Sequence, residues 1–258
     1  MLLTVDVGNT QTVVGVYAGA ELASMWRLAT DRACTPDEIR VNLIPLFQSA
    51  GLSFPEVRRA ALSSVVPQLT DAWREAVRAC IGVDVLVCSA QAAGELFSAD
   101  YPNPSEIGAD RVADAVAMKA LYGCPSVVVD FGTATNIEVI DARGCFVGGI
   151  IAPGLQTSAQ TLFSRGAQLH AVALDAPREV IGKNTVEAMQ SGLVLGEVDR
   201  VEGLLRRVFD QLGYEAVVVA TGGLAPLIAA HSELISHVNP QLTLEGLRLI
   251  SQRAANGS

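Results

Sequence analysis

Two aspartates lie in matching contexts, and their chemistry suggests a phosphate or cation site. Asp6 occurs in LTVDVGNTQTVVGVY, residues 3–17, and Asp130 occurs in VVVDFGTATNIEVID, residues 127–141. In each copy an apolar run leads to the aspartate and a nearby glycine, and a second partly apolar run follows, which predicts a β-hairpin. Carboxylates on two such turns could hold Mg²⁺ through water, or a larger monovalent ion, against phosphate oxygens.

Short polar side chains surround both predicted turns. Glycine lets a ligand approach the backbone, while Asn9, Thr10, Thr12 and Thr133 offer hydrogen-bond donors. An ordinary turn with Asp and Gly would explain either copy by itself. The separation 130 − 6 = 124 is close to half of the 258 residues, however, so we interpret the repeat as two similar halves. Two such turns facing each other across a cleft would hold a nucleotide triphosphate from both sides.

The sequence GADR at residues 108–111 is a second candidate site. Asp110 lies near a predicted helix start, where backbone N–H groups stabilise an ionised carboxylate. It could accept a proton from a hydroxyl substrate, and Arg111 could bind an anionic group or the transferred phosphoryl. By themselves, Asp110 is more typical of an ordinary first helical turn and Arg111 of a surface cation.

Two further turns are weaker candidates. YPNP at 101–104 is a rigid turn that carries an aromatic ring, and it could form one wall of a small-molecule pocket. TGG at 221–223 follows a predicted strand and could let adenine or ribose approach the backbone. GxxxxGK[ST] and GxGxxG are absent, so the duplicated hairpin is the remaining route to nucleotide binding. GxSxG is absent as well, which leaves hydrolysis through a Ser/His pair unsupported.

Composition narrows the class of protein. The apolar content of 50% supports a substantial core, and no apolar run approaches the roughly 20 residues that span a bilayer. We therefore expect a cytoplasmic protein without a membrane partner. The formal charge of −9 and the absence of a Lys/Arg cluster argue against nucleic acid as a partner. The five cysteines are scattered and never form CxxC, so we expect reduced core thiols.

Strand-like and helix-like segments alternate along the chain, which predicts an α/β layer in each half. Helix starts are expected at Thr35, where Glu38 follows three residues later, after Pro67, and at Asn184. Pro45 should kink or shorten the first of these helices. The boundary between the halves is expected near residues 105–125, within the helical stretch that leads into the second repeat.

In order along the chain, these motifs resemble those of the type III pantothenate kinases, within the superfamily of actin, sugar kinases and heat-shock chaperones. The resemblance covers almost the whole length. It is carried by DVGNT at 6–10, SSVVP at 63–67, YPNPSEIGADR at 101–111, VVDFGTAT at 128–135, GGIIAPGL at 148–155, IGKNT at 181–185, SG at 191–192, TGG at 221–223 and LTLEGL at 242–247. Asn136 and Glu138 depart from that pattern, where Thr and Asp are common.

The resemblance implies an α/β fold of two similar domains, each a mixed β-sheet flanked by helices, with the active site in the interdomain cleft. This is the actin-like ATPase architecture with its ribonuclease H-like duplication. The N-terminal ATPase domain is expected at residues 1–115 and the C-terminal one at 116–258. The implied activity is ATP-dependent phosphorylation of pantothenate to 4′-phosphopantothenate, the first step of coenzyme A biosynthesis, by a homodimer with Mg²⁺ and a monovalent cation, K⁺ or NH₄⁺.

The resemblance also implies a role for each matched residue. Asp110 is the general base, Asp130 binds the monovalent cation, and Asp6 is a possible Mg²⁺ site through water. The remaining residues divide between ATP (Asp6, Val7, Gly8, Asn9, Thr10, Gln11, Thr12, Val13 and Thr133) and pantothenate (Tyr101, Gly108, Ala109, Asp110, Arg111 and Thr185). Two alternatives stay open: a kinase for another small hydroxyl or carboxylate substrate, and a non-catalytic regulatory or accessory protein of the same fold.

Overall fold

The computed structural model describes residues 1–165 and 170–256. In these residues the strands are β1 (Leu2–Val7), β2 (Gln11–Ala18), β3 (Glu21–Ala29), β4 (Arg59–Ser64), β5 (Val85–Val87), β6 (Ser126–Phe131), β7 (Ala134–Ile140), β8 (Phe146–Pro153), β9 (Val217–Thr221) and β10 (His237–Val238). The α-helices are α1 (Pro36–Ser49), α2 (Pro67–Ile81), α3 (Ala90–Ala93), α4 (Ala109–Leu121), α5 (Leu155–Arg165), α6 (Thr185–Gln190), α7 (Gly196–Leu212), α8 (Ala225–Ala229) and α9 (Leu242–Asn256).

The strands form two five-stranded sheets with equivalent topology. The first has the order β3-β2-β1-β4-β5 and the second has the order β10-β9-β6-β7-β8. Each begins with an antiparallel meander of three strands, and two further strands then add in parallel beside the first strand of the meander. The repeat found in the sequence is therefore a repeat of whole sheets. Helices supply the parallel connections, as such crossovers require.

The chain divides into two compact units. The first comprises Met1–Ala117 and Leu242–Ser258, and the second comprises Met118–Gln241. The sequence assigned the last residues to the second half, whereas α9 packs on β1 and β4 of the first unit. The reason is an apolar face on α9, where Leu244, Leu247 and Ile250 are each no more than 1% exposed. The chain thus returns to its first unit at the end.

Each unit has its own apolar core. In the first, α1 and α2 cover one face of the sheet, with Leu43, Phe47 and Trp73 buried against strand residues. In the second, α7 contributes Val201 and Leu205 to a cluster with β6, β7 and β9. No helix in the described part of the chain is long and apolar enough to cross a membrane.

The predicted helix starts are confirmed, and the expectation for the cysteines is wrong. Thr35 caps α1 by accepting the Glu38 N–H, while the Glu38 carboxylate accepts the Thr35 N–H at 2.8 Å. This helix is not shortened at Pro45, because it continues to Ser49. The cysteines were expected in the core, but only Cys88 of the five is fully buried in the described residues.

Candidate active site

The first hairpin presents Asp6 at the end of a buried strand. Asp6 is register partner of Val13 on β2 and of Ser63 on β4, so these three side chains share one face of the sheet. The turn closes with a hydrogen bond of 3.0 Å from the Gly8 N–H to the Gln11 carbonyl. A Cβ at Gly8 would lie 2.9 Å from that carbonyl oxygen, so glycine keeps this turn tight.

The predicted contact residues of this hairpin are not equally accessible. Val7 is fully buried and Thr12 is 3% exposed, and the Thr12 hydroxyl is 2.8 Å from the hydroxyl of Thr30. Asn9, Thr10 and Gln11 at the tip are exposed. This hairpin can therefore offer a ligand the side chains at its tip, the backbone groups of its turn and the partly exposed carboxylate of Asp6.

The second hairpin repeats this arrangement. β1 and β6 have identical burial patterns, with one partly exposed residue in an otherwise buried strand, and that residue is Asp6 in one and Asp130 in the other. Asp130 is register partner of Asn136 and of Thr221. Its turn is closed by the Gly132 N–H and the Ala134 carbonyl, 3.0 Å apart.

The second turn is one residue shorter than the first. In β1–β2 the last pair is Val7 with Thr12, whereas in β6–β7 it is Phe131 with Thr135. The two loops are thus not superposable residue by residue, although a constant shift of 124 aligns their aspartates. Thr135 corresponds in the sheet to Thr12, and each hydroxyl is buried.

The GADR segment brings Asp110 into the neighbourhood of the first hairpin. Asp110 lies in the first turn of α4, and the thiol of Cys88 donates to the Ala109 carbonyl at 3.3 Å. The pKa of Cys88 is raised to about 12, first by burial and then by the charges of Asp6, Asp110 and Asp114. Because the charges of these carboxylates raise the pKa of the same buried thiol, Asp6 and Asp110 both lie near Cys88. Sequence reasoning gave no signal for the part that Cys88 has here.

Burial also changes the chemistry of Asp110 itself. Loss of water raises the pKa of its carboxyl, and the backbone N–H and positive charge of Arg111 oppose that rise. The N–H of Arg111 donates to Asp110 Oδ1 at 2.8 Å. Gly108 leaves room for this carboxylate, because a Cβ there would lie 2.5 Å from the same oxygen. The result is a carboxylate with increased proton affinity, which a general base requires.

The other predicted substrate residues lie on loops and helix ends. Tyr101 is exposed and precedes a short 3₁₀ turn at Pro104–Glu106, in the first unit. Thr185 begins α6 in the second unit, where Asn184 caps the helix by accepting the Glu187 N–H at 3.0 Å. The structure thus divides the predicted site residues between the units, with Asp130, Thr133 and Thr185 in the second.

Two glycines, Gly154 and Gly222, pack closely against the second hairpin. Both belong to glycine-containing motifs noted in the sequence, GGIIAPGL at 148–155 and TGG at 221–223. A Cβ at Gly154 would lie 2.5 Å from the carbonyl oxygens of Gly132 and Thr133. A Cβ at Gly222 would lie 2.5 Å from Asp130 Oδ1 and 2.6 Å from the Phe131 carbonyl oxygen. Gly222 of the TGG motif therefore lies directly against the Asp130 carboxylate, and the approach of adenine or ribose to this turn stays a prediction.

A buried polar network supports the same hairpin and had no sequence signal. The Thr135 hydroxyl donates to Glu197 Oε1 at 2.7 Å, and Glu197, 5% exposed, forms a salt bridge with Arg200. Arg200 also donates to the Pro153 carbonyl at 2.8 Å. These bonds connect α7 to Thr135 on β7, directly after the turn, and to Pro153 on the neighbouring strand β8.

Comparison with known proteins agrees with this geometry. Residues 2–207 match the family model described as type III pantothenate kinase. A protein of that name from Thermomicrobium roseum is 48% identical over 254 residues, covering 98% of this chain and 97% of its own length. Another from Moorella thermoacetica is 44% identical over 253 residues, covering 98% and 99%. This chain belongs to the type III pantothenate kinase family.

Solved structures show the fold of this type III pantothenate kinase. A conserved putative Baf family transcriptional activator from Campylobacter jejuni matches with a TM-score of 0.61 at 17% identity, over 98% of this chain and 99% of that one. The ROK hexokinase from Thermus thermophilus matches with a TM-score of 0.52 at 14% identity, over 100% and 99%. The predicted fold class, two mixed β-sheets flanked by helices, is confirmed.

Proposed function

We propose that the protein transfers the γ-phosphoryl group of ATP to the primary hydroxyl of pantothenate. The product is 4′-phosphopantothenate, and the reaction is the first step of coenzyme A biosynthesis. One observation supports this chemistry. Asp110, whose pKa is raised, and Asp6, the carboxylate of the first hairpin, are both near enough to the buried Cys88 for their charges to raise the pKa of its thiol. Membership of the pantothenate kinase family supports the choice of acceptor.

Asp110 is the general base in this proposal. Its carboxylate takes the proton of the attacking hydroxyl, and its raised pKa makes it a better acceptor than an exposed aspartate. Arg111, the adjacent cation, binds the pantothenate carboxylate or the transferred phosphoryl group. Tyr101, Gly108 and Ala109 complete the pantothenate pocket within the first unit.

The two hairpins hold the triphosphate. Residues Asp6 to Val13 contribute turn N–H groups and tip side chains, and Thr133 contributes from the second hairpin. Within the described residues no group of three or more His, Cys, Asp or Glu side chains could hold a metal ion. The donors fit Mg²⁺, which keeps several waters and usually binds through one or two carboxylates plus substrate phosphates. Bound there with Asp6, Mg²⁺ would neutralise phosphate charge.

A monovalent cation, K⁺ or NH₄⁺, binds at Asp130 in this proposal. Support comes from the partly exposed carboxylate at the strand end, the neighbouring Thr221, and the space that Gly222 leaves beside Asp130 Oδ1. Oxygen donors of this kind suit such ions. Thr185 contacts pantothenate as part of a homodimer, and the protein acts in the cytoplasm, where ATP is supplied.

A coupled assay tests the function directly. Purified protein with ATP, Mg²⁺ and K⁺ should release ADP only when pantothenate is added, and omission of K⁺ should lower the rate. Glucose, acetate and N-acetylglucosamine in place of pantothenate should give no turnover. Turnover of one of these acceptors, with none for pantothenate, would contradict the proposal.

The base assignment has its own test. Asp110→Asn should lower kcat by about 10²–10⁴-fold while ATP still binds, because general-base catalysis contributes about that factor. Asp71→Asn is the matched control, since Asp71 is exposed on α2 and pairs with the exposed Arg74 of the same helix. If Asp110→Asn retained more than about a tenth of the wild-type rate, Asp110 would not be the base.

A further inference from the structure

The segment after β3 is fastened to the tip of the first hairpin by three hydrogen bonds. The Thr30 N–H donates to the Thr10 carbonyl at 2.9 Å, and the hydroxyls of Thr30 and Thr12 are 2.8 Å apart. Two residues further on, Arg32 Nη2 donates to Asn9 Oδ1 at 2.9 Å. The guanidinium of Arg32 is therefore held at the hairpin tip, although the hairpin sequence itself contains no Lys or Arg between residues 6 and 13.

This contact orients the Asn9 amide. Arginine has only donors, so the amide oxygen of Asn9 must face Arg32 and its NH₂ group must point away from the guanidinium. Asn9 is exposed, and its two N–H donors are thereby directed out of the hairpin tip. One of the five N–H bonds of Arg32 makes this contact, which leaves others for a ligand beside Asn9.

The charge of Arg32 is not neutralised by a neighbouring carboxylate. Asp31 Oδ1 instead accepts the Ala33 N–H at 2.9 Å. Among the salt bridges of residues 1–165 and 170–256, none involves Arg32. In a chain with a formal charge of −9, an exposed cation at this tip offsets the repulsion that a polyanion would meet.

We propose that Arg32 is a further phosphate-binding residue of the ATP site, contacting the triphosphate beside Asn9. The planar guanidinium can donate two parallel hydrogen bonds to a phosphate group, from Nη1 and from one N–H of Nη2, while the other N–H of Nη2 keeps the Asn9 contact. This inference rests on the proposed function, because it requires that the first hairpin binds ATP.

Three variants test the contact. Arg32→Gln removes the charge yet can still donate to Asn9, and Arg32→Lys keeps the charge but loses the forked geometry. The matched control is Arg58→Gln. Arg58 is exposed, and its N–H donates to the Met1 carbonyl at the end of β1 that is opposite the hairpin, so this variant loses the same charge far from the tip.

Binding of ATP and of AMP is measured by calorimetry, with KM values for both substrates. Arg32→Gln should weaken ATP binding by about tenfold or more, as loss of a charge-assisted hydrogen bond implies. AMP binding and the KM for pantothenate should change by less than about twofold, and the ATP defect should shrink at high salt as charges are screened. Arg32→Lys should be intermediate, and Arg58→Gln should match the wild type.

The outcomes separate the two proposals. Equal weakening of ATP and AMP by Arg32→Gln would mean that Arg32 only shapes the hairpin, and unchanged ATP binding would mean that it touches no phosphate. Either result overturns the inference while pantothenate turnover by the wild type still supports the function. Wild-type protein that neither binds ATP nor phosphorylates pantothenate would instead overturn the proposed function.

Discussion

The substitution Gly222→Ala should destabilise the protein, whereas the same change at the next residue should not. Gly222 has φ +90°, a conformation that side chains rarely adopt, and its Cβ would lie 2.5 Å from Asp130 Oδ1 and 2.6 Å from the Phe131 carbonyl oxygen. Gly223 has no positive φ, and a Cβ there would meet no atom of the described residues within 4 Å. Both substitutions add the same methyl group to a glycine, so a difference in stability between the two variants reports the surroundings of each position.

The expected cost follows from two terms. Placing alanine in the left-handed region costs about 1–2 kcal/mol. Forcing a methyl group against a backbone carbonyl that cannot rotate away costs about 1–3 kcal/mol more. Gly222→Ala should thus lower the free energy of unfolding by about 2–5 kcal/mol. Gly223→Ala should leave it unchanged or raise it by about 0.4–1 kcal/mol, because alanine restricts the unfolded chain.

Urea unfolding followed by far-ultraviolet circular dichroism measures both free energies. The K⁺ concentration at half-maximal activation should also rise in Gly222→Ala, because the methyl group displaces the Asp130 carboxylate, and it should not change in Gly223→Ala. If the two variants were equally stable, the close approach of Gly222 to Asp130 would be refuted.

Two further predictions concern Asp110 and the helix that carries it. The pKa of Asp110 is raised in the folded state. Above pH 3.8, the ordinary pKa of aspartate, the folded protein therefore still holds a proton on this carboxyl that the unfolded chain has lost. The free energy of unfolding of the wild type should therefore fall, relative to that of Asp110→Asn, as the pH rises from 3.8 through the folded-state pKa. Paired urea titrations of the two proteins at several pH values measure this difference. A difference that does not change with pH would contradict a desolvated Asp110 carboxyl. Gly246 of α9 contacts the α4 backbone, and a Cβ there would overlap the Ala113 carbonyl oxygen. Gly246→Ala should lower both kcat and the melting temperature. The control is Gly203→Ala on α7, where a Cβ would meet no described atom within 4 Å, and it should raise the melting temperature slightly. A Gly246→Ala variant with unchanged kcat and melting temperature would argue against this contact.

Local patterns in the sequence predicted the parts of the site that depend on few neighbouring residues. The hairpins around Asp6 and Asp130 are encoded by apolar runs and glycines within about fifteen residues, and the α1 start by Thr35 and Glu38. Asp110 was singled out because a carboxylate in a first helical turn has a recognisable chemistry. In each case the interacting groups are close in sequence.

Contacts between distant residues were not predictable in this way. Thr135 and Glu197 are 62 positions apart, and the pattern of apolar residues around either one does not indicate that they form a hydrogen bond. Cys88 looked like an ordinary core thiol, and its contact with the Ala109 carbonyl joins residues that are 21 positions apart. A Cβ at Gly192 or Gly196 would meet no atom of the described residues within 4 Å, whereas a Cβ at Gly246 would overlap the Ala113 carbonyl oxygen. Only the tertiary arrangement distinguishes such glycines from Gly246.

The return of α9 to the first unit fixes an order of events during synthesis. β1 and β4 are among the first strands made, but the helix that covers them is the last element of the described chain. The whole second unit, Met118–Gln241, must leave the ribosome in between, which takes on the order of 6–25 s at about 5–20 residues per second. During that interval the strand that carries Asp6 lacks the helix that covers it, so the first unit is completed only after the second unit has been synthesised.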